Sequence, residues 1–404
     1  MNSLLNDLQP YPFERLRDLK AAVTPNAELP HIALSIGEPK HAAPLFVRDA
    51  LADALDDLEV YPTTAGLPEL RHVIARWLEQ RFDLSKVDGL QQVLPVCGTR
   101  EAIFSFIQAA FDPSQADQRP YIMTPNPFYQ IYEGATLLAG GQTWLLNCTA
   151  EHGFNPDFQA IPDDVWAKTQ ILFLCSPGNP TGAVIPLDTL VWLLDKAAQH
   201  NVIVASDECY SEIYFTENER PIGLLEACRA RGDSAFKNAV VFHSLSKRSN
   251  LPGLRSGFIA GDAALLKPYL NYRTYHGSAL PLQVQKASMA AWQDETHVEH
   301  NRSAYREKFR RVLAILESKL GVQMPDAGFY LWAKTPIPDT DFAQQLFAQQ
   351  HVTVLPGSFL GREMDGINPG AGYVRMALVA TLPECIEAAE RIARFVDQLS
   401  HAKG

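Results

Sequence analysis

S-L-S-K-R-S-N-L-P-G-L-R-S-G, from Ser244 to Gly257, follows an apolar run of Val240, Val241 and Phe242 that reads as a buried strand. Lys247 stands among small hydroxyl residues, with Arg255 eight positions later and glycines at 253 and 257. A lysine just past a buried strand can form an imine once its amine is deprotonated. Arginine offers a planar donor fork for a phosphate, and serine hydroxyls add donors nearby. One short loop therefore presents an amine for an aldehyde and a cradle for a phosphate, the two groups that pyridoxal phosphate carries. Taken alone, the same residues read equally well as an ordinary surface loop. The rest of the chain decides.

Around this stretch, from about residue 90 to 260, short apolar runs alternate with helical patterns. Strands are expected at 92–96, 120–124, 143–146, 170–175, 201–206, 239–243 and 256–260, and helices at 99–111, 128–139 and 186–200. Such alternation predicts an α/β domain with a mostly parallel sheet, whose ligands gather at the carboxyl ends of the strands. The distinctive loops all fall at such ends. C-G-T-R-E-A (97–102) opens a helix, so the N–H groups of Gly98, Thr99 and Arg100 form an anion site. It contains no G-x-G-x-x-G, which weighs against a dinucleotide site. P-N-P-F-Y (125–129) presents Tyr129, either a packing residue or a platform for a flat ligand. S-P-G-N-P-T-G (176–182) is a turn by composition, and its Asn179 can donate to a ligand oxygen. V-I-V-A-S-D-E-C-Y (202–210) ends an apolar run at Asp207, with Tyr210 one helical turn beyond. A carboxylate there needs a partner, which a protonated pyridine nitrogen, a core arginine or a helix N-terminus would each supply.

The flanking regions read differently. L-S-I-G-E-P (34–39) is an apolar strand breaking at Gly37, where a ligand can approach the main chain closely, or where the strand simply turns. A helix is expected from Pro12, another from Pro44 with Val47, Ala50, Leu51, Ala54 and Leu58 on its apolar face, and a third from Pro68. Between the last two lies Y-P-T-T-A-G-L (61–67), carrying Tyr61. Beyond about 285 the pattern predicts a helix at 295–320, a strand at 329–334, a helix at 340–350, strands at 352–355 and 373–379, and a helix at 383–399. Arg375 sits inside the apolar strand G-Y-V-R-M-A-L-V and needs an anionic partner, which a ligand carboxylate would provide. The division expected is a large domain at 41–285 and a smaller α+β domain formed by 1–40 with 286–404.

The chain has 404 residues, 47% hydrophobic and 20% charged, with a net charge of −11 and no basic run. That length suggests two domains, and that balance argues against nucleic acid or anionic membranes as partners. The six cysteines show no C-x-x-C spacing, a pattern of buried free thiols in a reducing cytosol rather than of disulfides or a metal site. No signal-peptide pattern and no apolar stretch of about 20 residues is seen, so a cytoplasmic enzyme is expected.

In order and spacing, G-E-P, Y-x-x-x-x-G, G-T-R, P-N-P-F-Y, P-G-N-P-T-G, D-E-x-Y and S-L-S-K-x7-R together resemble the fold-type I pyridoxal-phosphate enzymes, in particular the class I/II aminotransferases. Within them the chain is similar to the succinyldiaminopimelate aminotransferases of bacterial lysine biosynthesis, through P-Y-P-F-E-R-L-R (10–17), R-T-Y-H-G (273–277) and G-F-Y-L-W-A (328–333). The resemblance implies that Lys247 binds pyridoxal 5'-phosphate and moves the substrate proton, and that Asp207 keeps the pyridine nitrogen protonated. It implies that Asn179 and Tyr210 bond the phenolic oxygen and that Tyr129 stacks on the ring. The phosphate would lie among Gly98, Thr99, Arg100, Ser244, Ser246 and Arg255. Tyr61 would reach it from a second subunit, making a homodimer with shared sites. Arg375, Gly37 and Asn179 would bind the substrate, and Arg273, by position only, its distal carboxylate. The reaction implied is amino transfer between N-succinyl-LL-2,6-diaminopimelate and 2-oxoglutarate. Aspartate, aromatic or glutamine/kynurenine substrates are the alternatives, as is a carbon–sulfur lyase on the same fold. A ligand-sensing regulator is disfavoured by the acidic charge.

Overall fold

Apolar residues on the central strands alternate between two buried faces, so the sheet they form must be covered on both sides. Ile171 and Phe173 pack into one core with Ile122, Val240, Phe242 and Ile259. Leu172 and Leu174 pack into the other with Met123, Val204, Val241 and Phe258. The computed structural model describes residues 1–115 and 120–401. Its strands are β1 (Ile32–Ala33), β2 (Val93–Val96), β3 (Tyr121–Asn126), β4 (Gln142–Asn147), β5 (Thr169–Cys175), β6 (Ile203–Asp207), β7 (Ala239–Ser244), β8 (Gly257–Gly261), β9 (Tyr330–Lys334), β10 (Val352–Thr353), β11 (Leu355–Pro356) and β12 (Tyr373–Ala377).

The seven-stranded sheet has the order β2-β8-β7-β6-β5-β3-β4. Strands β3 to β7 run parallel to their neighbours, whereas β8 is antiparallel to both β7 and β2. Because β8 runs against the rest, its first residue lies at the carboxyl edge of the others. Val96 and Ser244 both pair with Gly257, and this register brings Gly98, Ser246 and Arg255 to one place. The expected helices are found at Thr99–Ala110, Ile131–Leu138 and Leu187–His200.

A separate core forms where helices Thr296–Leu320 and Leu382–His401 meet the antiparallel sheet β11-β12-β9, through Phe309, Val312, Leu316, Ile392 and Phe395. Ile32 and Leu34 join this core, because β1 pairs with β10. That pairing ties the N-terminal segment to the C-terminal third.

Several local expectations are corrected. The strand expected at 352–355 is two short ones, with β10 pairing to β1 and β11 to β12. The helix after Pro44 ends at Ala52, and a 3-10 turn follows at Leu55–Glu59. Of its expected apolar face, Val47 and Ala54 are buried but Leu58 is 68% exposed. Helices Ala263–His276 and Leu282–Gln293 are additional; Pro268 inside the first breaks the sequence signal. No helix among the described residues is long and apolar enough to cross a membrane.

Candidate active site

The carboxyl ends of β2, β3, β5, β6 and β7 and the start of β8 deliver their loops to one cleft of about 470 Å³. The turn after β7 is fixed first. Ser244 caps the helix Leu245–Arg248 by accepting from the Ser246 N–H at 3.1 Å, and this one turn carries Lys247 into the cleft. The Lys247 Nζ donates to the Gly37 carbonyl at 2.5 Å. Burial pulls the amine down to about 8, with Arg375 and Arg255 adding to the effect against Cys209 and Glu38. An ordinary lysine is almost wholly protonated at neutral pH. This one is poised near neutrality.

The phosphate-type cradle is built from β2, β7 and β8. Gly98 has φ +84° and begins the helix Thr99–Ala110, whose first-turn N–H groups have no partner within the helix. A Cβ at Gly98 would stand 2.4 Å from the Arg255 Nη2, so only glycine allows that approach. Arg255 itself adopts φ +53° and donates to the Pro252 carbonyl at 2.9 Å. Thr99, Arg100, Ser244, Ser246 and Arg255 all line the cleft.

Two buried charged groups in the cleft stand without opposite charges among the described residues. Asp207, at the end of β6, is buried, accepts from the Tyr132 hydroxyl at 2.9 Å and from the Cys209 N–H at 3.3 Å, and forms no ion pair among the described residues. Burial raises its pKa, against those hydrogen bonds. Arg375, on β12, is 4% exposed and donates to the Asn179 Oδ1 at 2.9 Å and the Ser35 carbonyl at 2.7 Å. Its guanidinium lies 4.4 Å from the Tyr330 ring centroid, and it too meets no carboxylate among the described residues. By contrast Arg81, Arg248, Arg302 and Arg391 each meet one. A buried cation and a buried anion that ignore each other's sign call for a ligand bearing both complements. A pyridinium nitrogen fits the Asp207 carboxylate, an aldehyde the Lys247 amine, a phosphate the cradle, and a substrate carboxylate Arg375.

The other expected residues are placed as follows. Gly37 lines the cleft, and a Cβ on it would stand 2.0 Å from the Tyr330 Oη. Tyr129 lines it beside Arg100, whose Nε donates to the Tyr129 Oη at 2.5 Å. Asn179 gives its carbonyl to Arg375, and the Tyr210 Oη is 3.0 Å from that of Tyr330. Tyr61 is 98% exposed and outside the cleft of its own chain. The expectation for Arg273 is corrected. Its side chain is fully buried and held by Glu101 at 2.6 and 2.9 Å, by Tyr269 and by the Ser278 carbonyl, outside the cleft. A guanidinium already paired has no fork left for a substrate. Arg273→Ala is therefore expected to lower stability by about 3 kcal/mol, by stranding Glu101. Donor preference should stay as in the parent, and thermal denaturation with a donor panel checks both.

Tyr132, Tyr330, Tyr11, Phe13 and Glu38 were missed by sequence reasoning. Tyr132 lies three residues after Tyr129 at helical spacing, a signal that could have found it. Tyr330 lies in the F-Y-L-W-A-K strand, where nothing local marks one aromatic above its neighbours.

An α/β sheet with an amine, a buried carboxylate and an anion cradle along its carboxyl edge defines a fold-type I pyridoxal-phosphate enzyme. The chain belongs to the class I and II aminotransferases, whose family model matches residues 30–392. It is 32% identical over 397 residues to an LL-diaminopimelate aminotransferase of Maridesulfovibrio salexigens, covering 97% of this chain and 98% of that one. An aminotransferase crystal structure from Neisseria meningitidis superimposes with TM-score 0.94 at 50% identity, covering 98% of this chain and all of the other. A probable N-succinyldiaminopimelate aminotransferase from Thermus thermophilus does so with TM-score 0.84 at 27% identity, covering 95% and 99%.

Proposed function

We propose that this aminotransferase moves an amino group between N-succinyl-LL-2,6-diaminopimelate and 2-oxoglutarate, with glutamate as donor in the reverse direction. The observation that carries the amino-transfer chemistry is the pair of unmatched buried charges, Asp207 and Arg375, flanking the Lys247 amine in one cleft. When bound, pyridoxal phosphate supplies an electron sink for the charge that develops at the substrate Cα. Lys247 would hold the cofactor in the resting protein, and its Nζ, freed by the substrate amine, would take the proton from the substrate Cα and hand it to the cofactor side, the 1,3-shift that amino transfer requires. The Asp207 carboxylate would hold the proton on the ring nitrogen, and the Tyr132 hydroxyl donates to that carboxylate and keeps it oriented. Arg375 clamps the α-carboxylate through its fork. Gly98, Thr99, Arg100, Ser244, Ser246 and Arg255 would hold the phosphate, Tyr129 the ring face, and Asn179 with Tyr210 the phenolic oxygen. The cores on the two faces of the sheet and the separate core under Thr296–Leu320 support two domains, expected as 41–285 and as 1–40 with 286–404; Ala287, Ala291 and Trp292 pack with the sheet, so the second boundary is proposed after Gln293.

The names of the relatives support a diaminopimelate-type substrate, in either its free or its succinylated form. Single-turnover spectra with glutamate, N-succinyl-LL-2,6-diaminopimelate, free LL-2,6-diaminopimelate, aspartate and phenylalanine separate the readings. The succinylated substrate and glutamate are expected to react fastest. Faster reaction of the free diamino acid would move the assignment to LL-diaminopimelate, the second reading. Preference for phenylalanine would remove both and leave the aminotransferase. Return of the cofactor by a 2-oxo acid excludes a lyase.

We further propose a cytoplasmic homodimer with shared sites. Its support is the exposed apolar segment of Leu45, Leu55, Leu58, Val60 and Tyr61, between half and fully open to solvent in one chain, together with six free thiols. In a heterodimer of Lys247→Ala and Tyr61→Phe subunits, both lesions fall in one site and the other is complete. Activity is expected to reappear on mixing the two inactive proteins. No recovery in verified heterodimers would show that Tyr61 does not cross between subunits.

A further inference from the structure

We infer that Asn301 is a positioning residue for Lys247: its amide, reaching over from the helix Thr296–Leu320, caps the single turn that carries the reactive amine. That turn, Leu245–Arg248, has a side-chain cap at its start in Ser244 but only four residues of helix. Carbonyls at the end of a helix have no partner within it. Those of Lys247 and Arg248 therefore need donors from elsewhere. The Asn301 Nδ2 supplies them, at 3.2 Å from the Lys247 oxygen and 3.3 Å from that of Arg248. No other donor reaches either oxygen among the described residues. Asn301 is 4% exposed and does not line the cleft, so its effect on the chemistry runs through Lys247.

A chain of hydrogen bonds with one polarity holds the amide in this orientation. Its Oδ1 accepts from the Asn250 Nδ2 at 2.9 Å and meets the His41 Nδ1 at 2.8 Å. The other ring nitrogen of His41 is 2.6 Å from the Lys308 Nζ. An ammonium only donates, so the His41 Nε2 accepts and its Nδ1 carries the hydrogen. Burial keeps the His41 ring below its ordinary pKa, against the Asn301 bond, which leaves it neutral with one donor and one acceptor. A flipped amide would set its NH2 against two donors and its oxygen against two carbonyls. Asn301, Tyr305 and Lys308 share one face of their helix, and the His41 ring centroid stands 4.6 Å from that of Tyr305. His41 lies in the same loop as Gly37, whose carbonyl accepts from the Lys247 Nζ. Backbone and amine of Lys247 are thus both referred to one loop and one helix. In the proposed reaction the amine is released and recaptured, and the cap keeps its backbone in place meanwhile.

The inference rests on Lys247 being the amine that captures the cofactor, and not on which amino acid reacts. Apoprotein is mixed with pyridoxal phosphate in a stopped-flow instrument across pH 6–10, with no amino acid present. Asn301→Ala is expected to lower the capture rate on the plateau above pH 8 by roughly tenfold or more, the scale of a small misplacement of a reacting group. The inflection near 8 should stay, because misplacement lowers the height of the profile whereas a changed amine pKa moves its position. Pyridoxine 5'-phosphate lacks the aldehyde, so its fluorescence titration reports the cradle and ring contacts alone, and affinity for it should match the parent. His41→Leu, which keeps Asn301 but frees its amide to flip, should lower the plateau in the same way by a smaller factor. An unchanged plateau in Asn301→Ala overturns the inference, as does a moved inflection at unchanged height. Equal losses for pyridoxine 5'-phosphate also overturn it, since Asn301 would then support the whole cleft. Should Asn301→Ala not fold, the plateau in His41→Leu decides in the same terms. Capture at the parent rate by Lys247→Ala apoprotein would remove Lys247 from its role, and this inference with it.

Discussion

Replacing Lys247 with alanine is expected to lower turnover by roughly ten-thousand-fold or more, because in the proposed mechanism one amine both anchors the cofactor and moves the proton. The physical basis is its burial. An amine pulled down to about 8 is neutral in about one molecule in ten at pH 7, against one in a few thousand for an ordinary lysine. Only the neutral amine attacks an aldehyde. The rate at which apoprotein captures pyridoxal phosphate should therefore rise about tenfold per pH unit up to 8 and level off above it. Stopped-flow absorbance across pH 6–10 follows this. A rate still climbing at pH 10 would show that the amine is not depressed. Borohydride reduction of the loaded protein, then peptide mapping, should put the label on Lys247; a label on another lysine ends the assignment.

Asp207→Ala is expected to cost roughly a hundred- to a thousand-fold in the proton-abstraction step, the scale of losing one preorganised charge in a water-poor site. The variant should still bind the cofactor, weakly, because the cradle of Gly98, Ser244, Ser246 and Arg255 is intact. The sign of the pKa shift supports this. Without a cation, burial pushes Asp207 toward its protonated form, and a ring N–H⁺ supplies the opposite charge that restores the carboxylate. Asp207→Asn, which keeps the shape but not the charge, should be nearly as impaired as alanine. Single-turnover rates in both variants decide. Near-normal proton abstraction in Asp207→Asn would mean that Tyr132 and Cys209, not charge, carry the role.

The residues that the sequence placed in one cleft share a local signature: each stands just beyond an apolar run, where a strand stops and a loop must turn. Lys247 after Phe242, Asp207 at the end of 202–207, Asn179 in its turn and Gly98 before its helix are all legible this way, because strand periodicity and turn chemistry are encoded within a few residues. Arg375 was legible for a different reason, as a charge inside an apolar strand that must find a partner. Tertiary structure alone decided the pairings. Arg273 looked available because sequence does not reveal a partner 172 positions away, and Glu101 neutralises it. Tyr330 meets Gly37 and Tyr210 only because β9 pairs with β12 and lies against the loop after β1. Sequence sets where a chain can bend and bury; which charges are left over depends on contacts between residues hundreds of positions apart, and those leftover charges choose the ligand.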